Sequence, residues 1–311
     1  MMHSAVFSLC RNASLFSVLN ICLEGGKLVI PASFEYHRPK DMAGVLSILV
    51  EHGDDARVMA GGHSLIPMMK LRMADVPHLI DLQDVGGLVG ITVGDTITIG
   101  AMVTQSDIIL HDALADAAPI LREASLQIAD PQVRYMGTVG GNVANGDPGN
   151  DMPGLMQCLD ATFTVVGPNG ERKIPAREFY EAAYMTGRED DEVMTAVSFA
   201  KPAGGHAYEK QKRKIGDYAT AAAAVQIVKD GGTCASASIA MTNLSDTPVY
   251  SAAAGDALVG TTVDGDAIKA AVSAMLNDID PVEDNRGPVA FKRHVAGVIL
   301  ARAIERAWSR A

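Results

Sequence analysis

The stretch most informative about the fold runs from Thr138 to Asp151 and reads TVGGNVANGDPGND. Its four glycines, three asparagines, two aspartates and one proline predict a shaped loop and no regular element. Adjacent glycines allow a positive φ and a close approach of a ligand to the backbone, and successive inward N–H groups make a nest for an anion such as a pyrophosphate. A plain surface connection is the alternative interpretation.

A second glycine pair favours the anion-site interpretation. Residues 60–64 read AGGHS, which has the same small-Gly-Gly-polar form. A predicted strand, Ala56 to Ala60, precedes them, and a predicted helix capped by Ser64 continues through Met73. Strand, loop and helix in this order suit an anion, since a helix start offers free N–H groups and the positive end of its dipole. Two such loops could bind one diphosphate between them.

Composition limits the classes of protein to consider. A chain of 311 residues with 48% hydrophobic content can bury a sizeable core and predicts two or three domains. The formal net charge of −11 and the pI near 5.1 argue against broad contact with nucleic acid or an anionic membrane. The scattered cysteines offer no C-x-x-C pair, which predicts buried free thiols in a reducing compartment and no metal site on this chain. They are Cys10, Cys22, Cys158 and Cys234.

Residues 1–28 differ from the rest of the chain. The apolar run from Ser14 to Leu23 is too short to span a bilayer, and Cys22-Leu23-Glu24 makes a poor signal-cleavage site. These residues are predicted to be a disordered N-terminal extension, or translated upstream sequence ahead of a start near Val29. No membrane span is expected.

Local patterns in residues 29–202 predict alternating helices and strands. Apolar spacing behind an Asp41 N-cap predicts a helix that reaches His52. Alternation around Gly94-Asp95 predicts an antiparallel hairpin between Val85 and Ala101. Other predicted elements are strands at 77–82, 161–166 and 192–199, helices at 104–111 and 114–128, and a helix capped by Asp151.

A composition shift at residues 201–205 marks the start of a separate α+β domain. Its predicted strands cover 207–214, 220–228 and 233–243, and its predicted helices cover 247–258, 264–276 and 288–309. The basic run at 210–214 is interpreted either as part of a site or as a solvated charged strand.

Standard nucleotide and hydrolase motifs are missing. Gly26-Lys27 is followed by Leu28, so there is no P-loop, and no G-x-G-x-x-G stands at a strand-to-helix turn. The histidines are dispersed in sequence, His78 is expected on the surface, and spacing identifies no Ser/His/Asp or Cys/His set.

Three segments together resemble the FAD-binding subunits of molybdenum hydroxylases. They are AGGHSLIP at 60–67, TVGGN at 138–142 with Asp147-Pro148 and Asp151, and KIGDYA at 214–219. Within this family the chain is most similar to the medium, flavoprotein subunits of aerobic carbon monoxide dehydrogenases, over about residues 29–311. The resemblance implies an α+β fold: two FAD-binding subdomains of the vanillyl-alcohol oxidase (PCMH) type at 29–84 and 85–202, then a C-terminal α+β flavoprotein domain at 203–311.

The resemblance also implies roles in holding FAD without a covalent bond. Backbone N–H groups of the two Gly-Gly segments would bind the two sides of the diphosphate, with hydroxyl groups of Ser64 and Thr138 as further donors. The first segment contributes Ala60, Gly61, Gly62, His63 and Ser64, and the second contributes Thr138, Gly140, Gly141 and Asn142.

Further residues are implied around the same cofactor. Asp147 belongs to the second motif, and Asp151 is expected on a ribose hydroxyl or on the loop's own N–H groups. Tyr218 would lie against the isoalloxazine ring, and Lys214 would offset the charge of a reduced flavin. Val193, with the adjacent Met194, would pack against the ring, although core packing explains both residues equally well.

The implied function is electron transfer between subunits of an oxidoreductase. In such enzymes a large subunit oxidises the substrate at a molybdenum cofactor, [2Fe–2S] clusters on a small subunit deliver electrons to the flavin, and a quinone or other external acceptor takes them. A dimer of heterotrimers in the cytoplasm, or at the inner face of the membrane, is expected, with the partner surface at the apolar helix Phe291–Ile304 or near the flavin. The alternatives are the FAD subunit of a related aldehyde, xanthine or N-heterocycle dehydrogenase, a stand-alone flavin oxidoreductase, and a scaffold without FAD.

Overall fold

A computed structural model describes residues 29–311 and shows three larger β-sheets, one two-stranded ribbon and helices packed against them. The predicted N-terminal extension, residues 1–28, lies outside the described residues. The strands are β1 (Glu35–His37), β2 (Ala56–Met59), β3 (His78–Asp81), β4 (Ile91–Thr92), β5 (Thr96–Gly100), β6 (Thr162–Gly167), β7 (Gly170–Pro175), β8 (Tyr180–Ala182), β9 (Met185–Thr186), β10 (Val193–Ala200), β11 (Gly205–Gln211), β12 (Ala221–Asp230), β13 (Thr233–Thr242) and β14 (Val249–Tyr250). The α-helices are α1 (Met42–His52), α2 (Leu65–Lys70), α3 (Gln105–Leu110), α4 (Asp112–Ala117), α5 (Pro119–Ser125), α6 (Pro131–Met136), α7 (Val139–Ala144), α8 (Asp151–Cys158), α9 (Ala252–Asp256), α10 (Gly265–Asp278) and α11 (Val289–Arg310).

The first sheet is parallel and has the order β1-β3-β2. Helix α1 connects β1 to β2, and its predicted cap is confirmed, since the Asp41 carboxylate accepts a hydrogen bond from the Gly44 N–H at 2.8 Å. Val45 and Leu49 on this helix pack with Ile80 of β3 in a small apolar core. The carboxyl end of β2 leads into residues 60–64, so this sheet presents the first glycine pair at one end.

The second sheet is antiparallel, in the order β4-β5-β10-β6-β7. Its β4–β5 pair confirms the predicted hairpin around Gly94-Asp95. Where two helices were predicted between residues 104 and 128, three form. The His111 Nδ1 accepts a hydrogen bond from the Leu114 N–H at 3.1 Å, which starts a new helix, and Pro119 begins the next one because it lacks an N–H.

Helix α8 occupies the centre of the molecule, and all eight of its residues are buried. It packs against the inner face of the C-terminal sheet, where a Cβ on Gly154 would overlap with the Thr242 hydroxyl oxygen. The predicted buried free thiols are confirmed for Cys158 and Cys234. Burial raises the pKa of the Cys158 thiol to about 12, so this side chain stays a neutral core group.

The C-terminal sheet is antiparallel, in the order β11-β12-β13-β14, and both of its faces are covered. Along β12, Ala222 and Ala224 belong to the central core, while Ala221, Ala223 and Val225 belong to the core under α10 and α11. Alternate small residues allow this double packing, because successive side chains of a strand point to opposite faces.

Two predictions for the C-terminal domain need correction. The predicted helix over 247–258 begins only at Ala252, because Val249 and Tyr250 first pair with β13 as an edge strand. The apolar side of the 291–304 helix is not a free partner surface, since Ile299 and Leu300 are buried in the domain's own core. Within residues 29–311, no helix has both the length and the apolar composition that crossing a membrane requires.

Candidate functional site

The two glycine-pair segments lie side by side in the structure. A Cβ on Gly61 would overlap with the carbonyl oxygen of Met136, just before the second segment. A Cβ on Gly141 would lie 3.3 Å from the Ala60 Cβ, an approach that only a glycine allows without movement. Residues separated widely in sequence therefore form one continuous backbone surface.

The first segment is an open loop with free donors. Gly62 has a φ of +73°, which favours glycine. Among the hydrogen bonds formed within residues 29–311, none uses the N–H group of Gly61, Gly62, His63 or Ser64. Helix α2 starts directly afterwards at Leu65 and ends at Lys70, before the predicted Met73, and Ser64 occupies the N-cap position without a side-chain capping bond. Four backbone donors thus remain available to an acidic ligand.

The second segment is not the irregular loop that its composition predicts, since residues 139–144 form helix α7. The Thr138 hydroxyl oxygen accepts a hydrogen bond from the Gly141 N–H at 3.0 Å and caps this helix. Neither Gly140 nor Gly141 has a positive φ, and Gly146 alone does within residues 138–146. The cap and the packing described next outweigh the low helix propensity of the glycines.

The glycines of this helix serve a close approach of backbone to backbone. A Cβ on Gly140 would overlap with Ala101, and the Gly140 N–H donates to the Ala101 carbonyl at 2.9 Å. The Asn142 N–H donates to the Thr138 carbonyl at 3.0 Å. Because the N–H groups of residues 140–142 already have acceptors in the protein, their contact with a diphosphate stays a prediction that the hydrogen bonds do not favour.

Polar side chains fix the connection between α7 and α8. The Asn142 Oδ1 accepts from the Met152 N–H at 3.2 Å, and its carbonyl accepts from the Asn150 side-chain amide at 2.8 Å. The Asp147 carboxylate accepts from the Gly149 N–H at 2.9 Å. Residues 142–152 therefore form a defined bend in which Asp147 faces the C-terminal domain.

Asp151 has a different role from the one predicted. It is the first residue of α8, whose N-cap position belongs to Asn150, and it neither caps the helix nor binds the loop's N–H groups. Its carboxylate accepts from the Tyr208 hydroxyl at 2.5 Å and pairs with the Lys210 ammonium at 2.8 Å. The Lys210 side chain is 1% exposed, so this part of the basic run is a buried ion pair and not a solvated face. Contact of Asp151 with a ribose stays a prediction.

Two tyrosines, Tyr184 and Tyr218, lie near the Asp147 carboxylate. Tyr218 is 41% exposed, and its ring edge lies 2.8 Å from where a Cβ on Gly149 would stand. Burial, and after it the nearby Asp147 carboxylate, raises the pKa of the Tyr218 phenol to about 12. Burial and Asp147 also raise the pKa of the Tyr184 phenol. Both phenols consequently stay neutral at physiological pH.

Sequence reasoning missed Tyr184. It has a φ of +61°, an uncommon conformation for an aromatic residue, and its N–H donates to the Gly146 carbonyl at 2.8 Å. A backbone held in a costly region beside an exposed ring is typical of a functional position. The chain offers no local pattern for it, since the contact depends on the distant Gly146.

Two other predicted site residues differ in placement. Lys214 is exposed and forms no ion pair within the described part of the chain, residues 29–311. Val193 is 4% exposed and belongs to the apolar core of the first sheet, and Met194 belongs to the central core, so packing explains both residues.

The structure gathers three histidines that are dispersed in sequence. One potential ligand nitrogen from each of His37, His52 and His78 lies within 4.8 Å of the other two. The His78 side chain, predicted to lie free on the surface, is 19% exposed within this cluster.

Comparisons with known proteins agree with this arrangement. A family model described as the FAD binding domain in molybdopterin dehydrogenase matches residues 32–202, and one described as the CO dehydrogenase flavoprotein C-terminal domain matches residues 206–307. The boundaries at 84/85 and 202/203 stay predictions.

Similar curated proteins cover nearly the whole chain. The carbon monoxide dehydrogenase medium chain of Afipia carboxidovorans is 54% identical over 91% of this chain and 99% of its own. That of Hydrogenophaga pseudoflava is 43% identical over the same shares. In a solved structure of reconstituted CO dehydrogenase from Oligotropha carboxidovorans, one chain is 54% identical with a TM-score of 0.89, covering 91% of this chain and 100% of that one. Quinoline 2-oxidoreductase from Pseudomonas putida 86 gives 31% identity and a TM-score of 0.85, covering 89% of this chain and 98% of that one.

These matches extend over both parts of the chain and agree with the three motifs and with the observed fold. They favour a flavoprotein subunit over the stand-alone and FAD-free alternatives. The chain therefore belongs to the FAD-binding subunits of molybdenum hydroxylases, a family of oxidoreductase subunits that includes the carbon monoxide dehydrogenase medium chains.

Proposed function

We propose that this chain is the electron-transferring medium subunit of a three-subunit aerobic carbon monoxide dehydrogenase. Sequence identity to the similar chains supports carbon monoxide as the substrate. Identity is 54% and 43% to two carbon monoxide dehydrogenase medium chains, whereas it is 32%, 30% and 31% to subunits named for 6-hydroxypseudooxynicotine, glyceraldehyde and caffeine. The related aldehyde and N-heterocycle dehydrogenases are the alternatives that the experiment below separates.

The residues present fit FAD. The four free N–H groups of residues 61–64 are the donor set that a diphosphate requires, and the second segment lies against them. Tyr184 and Tyr218 supply two partly exposed aromatic rings close to Asp147. When bound, FAD supplies a redox centre that exchanges electrons one or two at a time.

The chain's own task is to bind and orient the cofactor. The N–H groups of residues 61–64 donate to the diphosphate, with the hydroxyls of Ser64 and Thr138 as further donors. Tyr218 shields the flavin ring from water, and the Lys214 ammonium, free of other partners within residues 29–311, offsets negative charge on it. The Asp151–Lys210 pair holds the C-terminal domain over the second segment.

The proposed partners follow from the word "medium" in the names of the similar chains. A large molybdenum subunit and a small [2Fe–2S] subunit assemble with this chain, as a dimer of heterotrimers. The external acceptor is a quinone or another electron acceptor, and the complex lies in the cytoplasm or at the inner face of the membrane. We expect FAD to be held without a covalent bond, with His63 contributing its backbone N–H, as the likeness to the carbon monoxide dehydrogenase medium chains implies.

The test compares the isolated chain with the assembled complex. The FAD-loaded chain alone should be bleached by dithionite and should not respond to carbon monoxide, while the complex co-expressed with its neighbouring subunit genes should be bleached by carbon monoxide. Glyceraldehyde and quinoline serve as competing substrates on the same complex. Bleaching of the flavin by glyceraldehyde or quinoline but not by carbon monoxide would show that carbon monoxide is not the substrate. Bleaching of the isolated chain by carbon monoxide would show that its flavin does not depend on partner subunits for electrons.

A further inference from the structure

We infer that His37, His52 and His78 form a binding site for a divalent transition-metal ion of the zinc type. The site would lie on the N-terminal sheet, away from the proposed flavin site. It is independent of the proposed function, because none of its residues belongs to the two glycine-pair segments.

The three histidines come from three different elements. His37 ends β1, His52 ends α1 and His78 begins β3. Their potential ligand nitrogens all lie within 4.8 Å of one another, and the His37 Nε2 is 3.1 Å from the His78 Nδ1. A tetrahedral ion with bonds of about 2.0–2.1 Å requires ligand nitrogens about 3.4 Å apart, which is close to the observed His37–His78 separation.

A carboxylate completes the set of donors. The Glu35 Oε2 lies 3.5 Å from the His78 Nδ1 and 3.9 Å from the His37 Nε2. Glu35 stands opposite His78 in the β1–β3 register, which keeps the two side chains adjacent. Three imidazoles with one carboxylate or water make a four-coordinate site in which one position can stay open.

The electrostatic surroundings favour a cation. His52 is the last residue of an eleven-residue helix, whose carboxyl end carries partial negative charge. The Glu51 carboxylate lies 4.0 Å from the His52 Nε2. The histidine side chains are 24%, 24% and 19% exposed, so an ion from solvent can reach them while neighbouring groups still orient the rings.

The donor types select the class of metal. Imidazole suits zinc, copper and nickel, whereas magnesium and calcium prefer oxygen ligands. In the observed arrangement the His52 and His78 rings stack at 3.7 Å with an angle of 10° between their planes. Parallel rings do not aim their lone pairs at one point, so binding requires at least one ring to rotate about χ2.

The location argues for a structural or regulatory ion and against one in the electron path. His78 pairs with Ala56 at the start of β2, and the first glycine pair follows the other end of that strand. Five residues of extended chain separate Ala56 from Gly61, roughly 16 Å at about 3.3 Å per residue. An ion at this site would link β1, α1 and β3.

Zinc titration of the FAD-loaded full chain, with any affinity tag removed and after treatment with EDTA, tests the site. Calorimetry should show one Zn²⁺ per chain that excess Mg²⁺ does not displace. His37→Gln, His52→Gln and His78→Gln should each weaken binding at least about tenfold, by analogy with the losses that follow disruption of a metal site. Zn²⁺ should also raise the thermal unfolding temperature of the unmodified chain and not that of the variants.

His294→Gln is the matched control, since His294 is exposed on α11 and far from the cluster in sequence. It should bind Zn²⁺ as the unmodified chain does. Circular dichroism and FAD content establish that each variant is folded. The test requires at least two of the three histidine variants to be folded. Absence of Zn²⁺ binding by the unmodified chain, or binding that survives the substitutions, overturns the inference.

Discussion

Residues 60–64 and 138–142 share a small-Gly-Gly-polar pattern, and they fold in two different ways. The first is an open loop with a left-handed glycine and four N–H groups free within residues 29–311. The second is a capped helix whose glycines allow the backbone to pack on Ala101 and whose N–H groups already have acceptors. A Gly-Gly pair therefore provides free hydrogen-bond donors in the first segment and close backbone packing in the second.

The largest expected effect concerns Lys210, which pairs with Asp151 at the start of α8. Lys210→Met leaves the Asp151 carboxylate buried without its ammonium partner, and it should lower the free energy of unfolding by about 3–5 kcal/mol. Urea unfolding followed by circular dichroism measures the loss.

The control for this change is the exposed pair Lys269–Asp266, whose side chains are 80% and 92% exposed. Lys269→Met should cost no more than about 0.5 kcal/mol. The double variant Asp151→Asn with Lys210→Met should recover part of the loss, because it removes the unpaired buried charge. Equal stability of the Lys210→Met protein and the unmodified chain would show that the start of α8 is not anchored in this way.

The next effect separates packing from donor function in the second segment. Gly140→Val forces a side chain against Ala101 and should cost about 1–3 kcal/mol of unfolding free energy. Gly86→Val is the control, since Gly86 has a negative φ and nothing within 4 Å of its Cβ position. Unfolding curves that place both variants at the same midpoint would contradict the packing role.

The first segment should respond through FAD binding. Gly62→Val puts a β-branched residue at a φ of +73° with its Cβ 2.9 Å from the Ile66 Cδ1, which strains the loop by about 1–3 kcal/mol. The displaced N–H groups should lower FAD affinity at least about tenfold, measured by flavin fluorescence during titration of the apoprotein. FAD affinity that remains at the wild-type value would show that these donors do not hold the diphosphate.

The smallest effect is expected for His63. His63→Ala keeps the backbone N–H and removes an exposed side chain, so FAD affinity should change by less than about 0.5 kcal/mol. If FAD is held without a covalent bond, as proposed above, acid precipitation of the unmodified protein should leave the pellet colourless. A yellow pellet that turns colourless in His63→Ala would reverse this assignment.

Local signals predicted the local parts of this fold. The Asp41 cap and the hairpin at Gly94-Asp95 depend on residues that are neighbours in sequence, and both are confirmed. The motifs at 60–67, 138–142 with Asp147-Pro148 and Asp151, and 214–219 identified the family and its cofactor together, because three short runs in a fixed order are specific where one glycine pair alone is not.

Features that depend on distant contacts escaped prediction. Glycine and asparagine counts suggested a loop at 138–151, but packing on Ala101 made part of it a helix. The partners of Asp151 lie 57 and 59 residues away along the chain, and no spacing rule connects them. The three histidines meet only because the parallel sheet brings the start of β3 beside β1 and the end of α1.

Burial of every residue in α8 also bears on how the chain acquires its structure. The helix lies within residues 32–202, the range of the first matched domain, yet β12 and β13 from beyond residue 206 cover it. A chain that ended at residue 202 would uncover Gly154 and Cys158, which contact Thr242 and Ser238, and would leave Asp151 without Tyr208 and Lys210. The two matched domains therefore share one buried interface, and we expect a chain truncated at residue 202 to be less stable than the full-length chain.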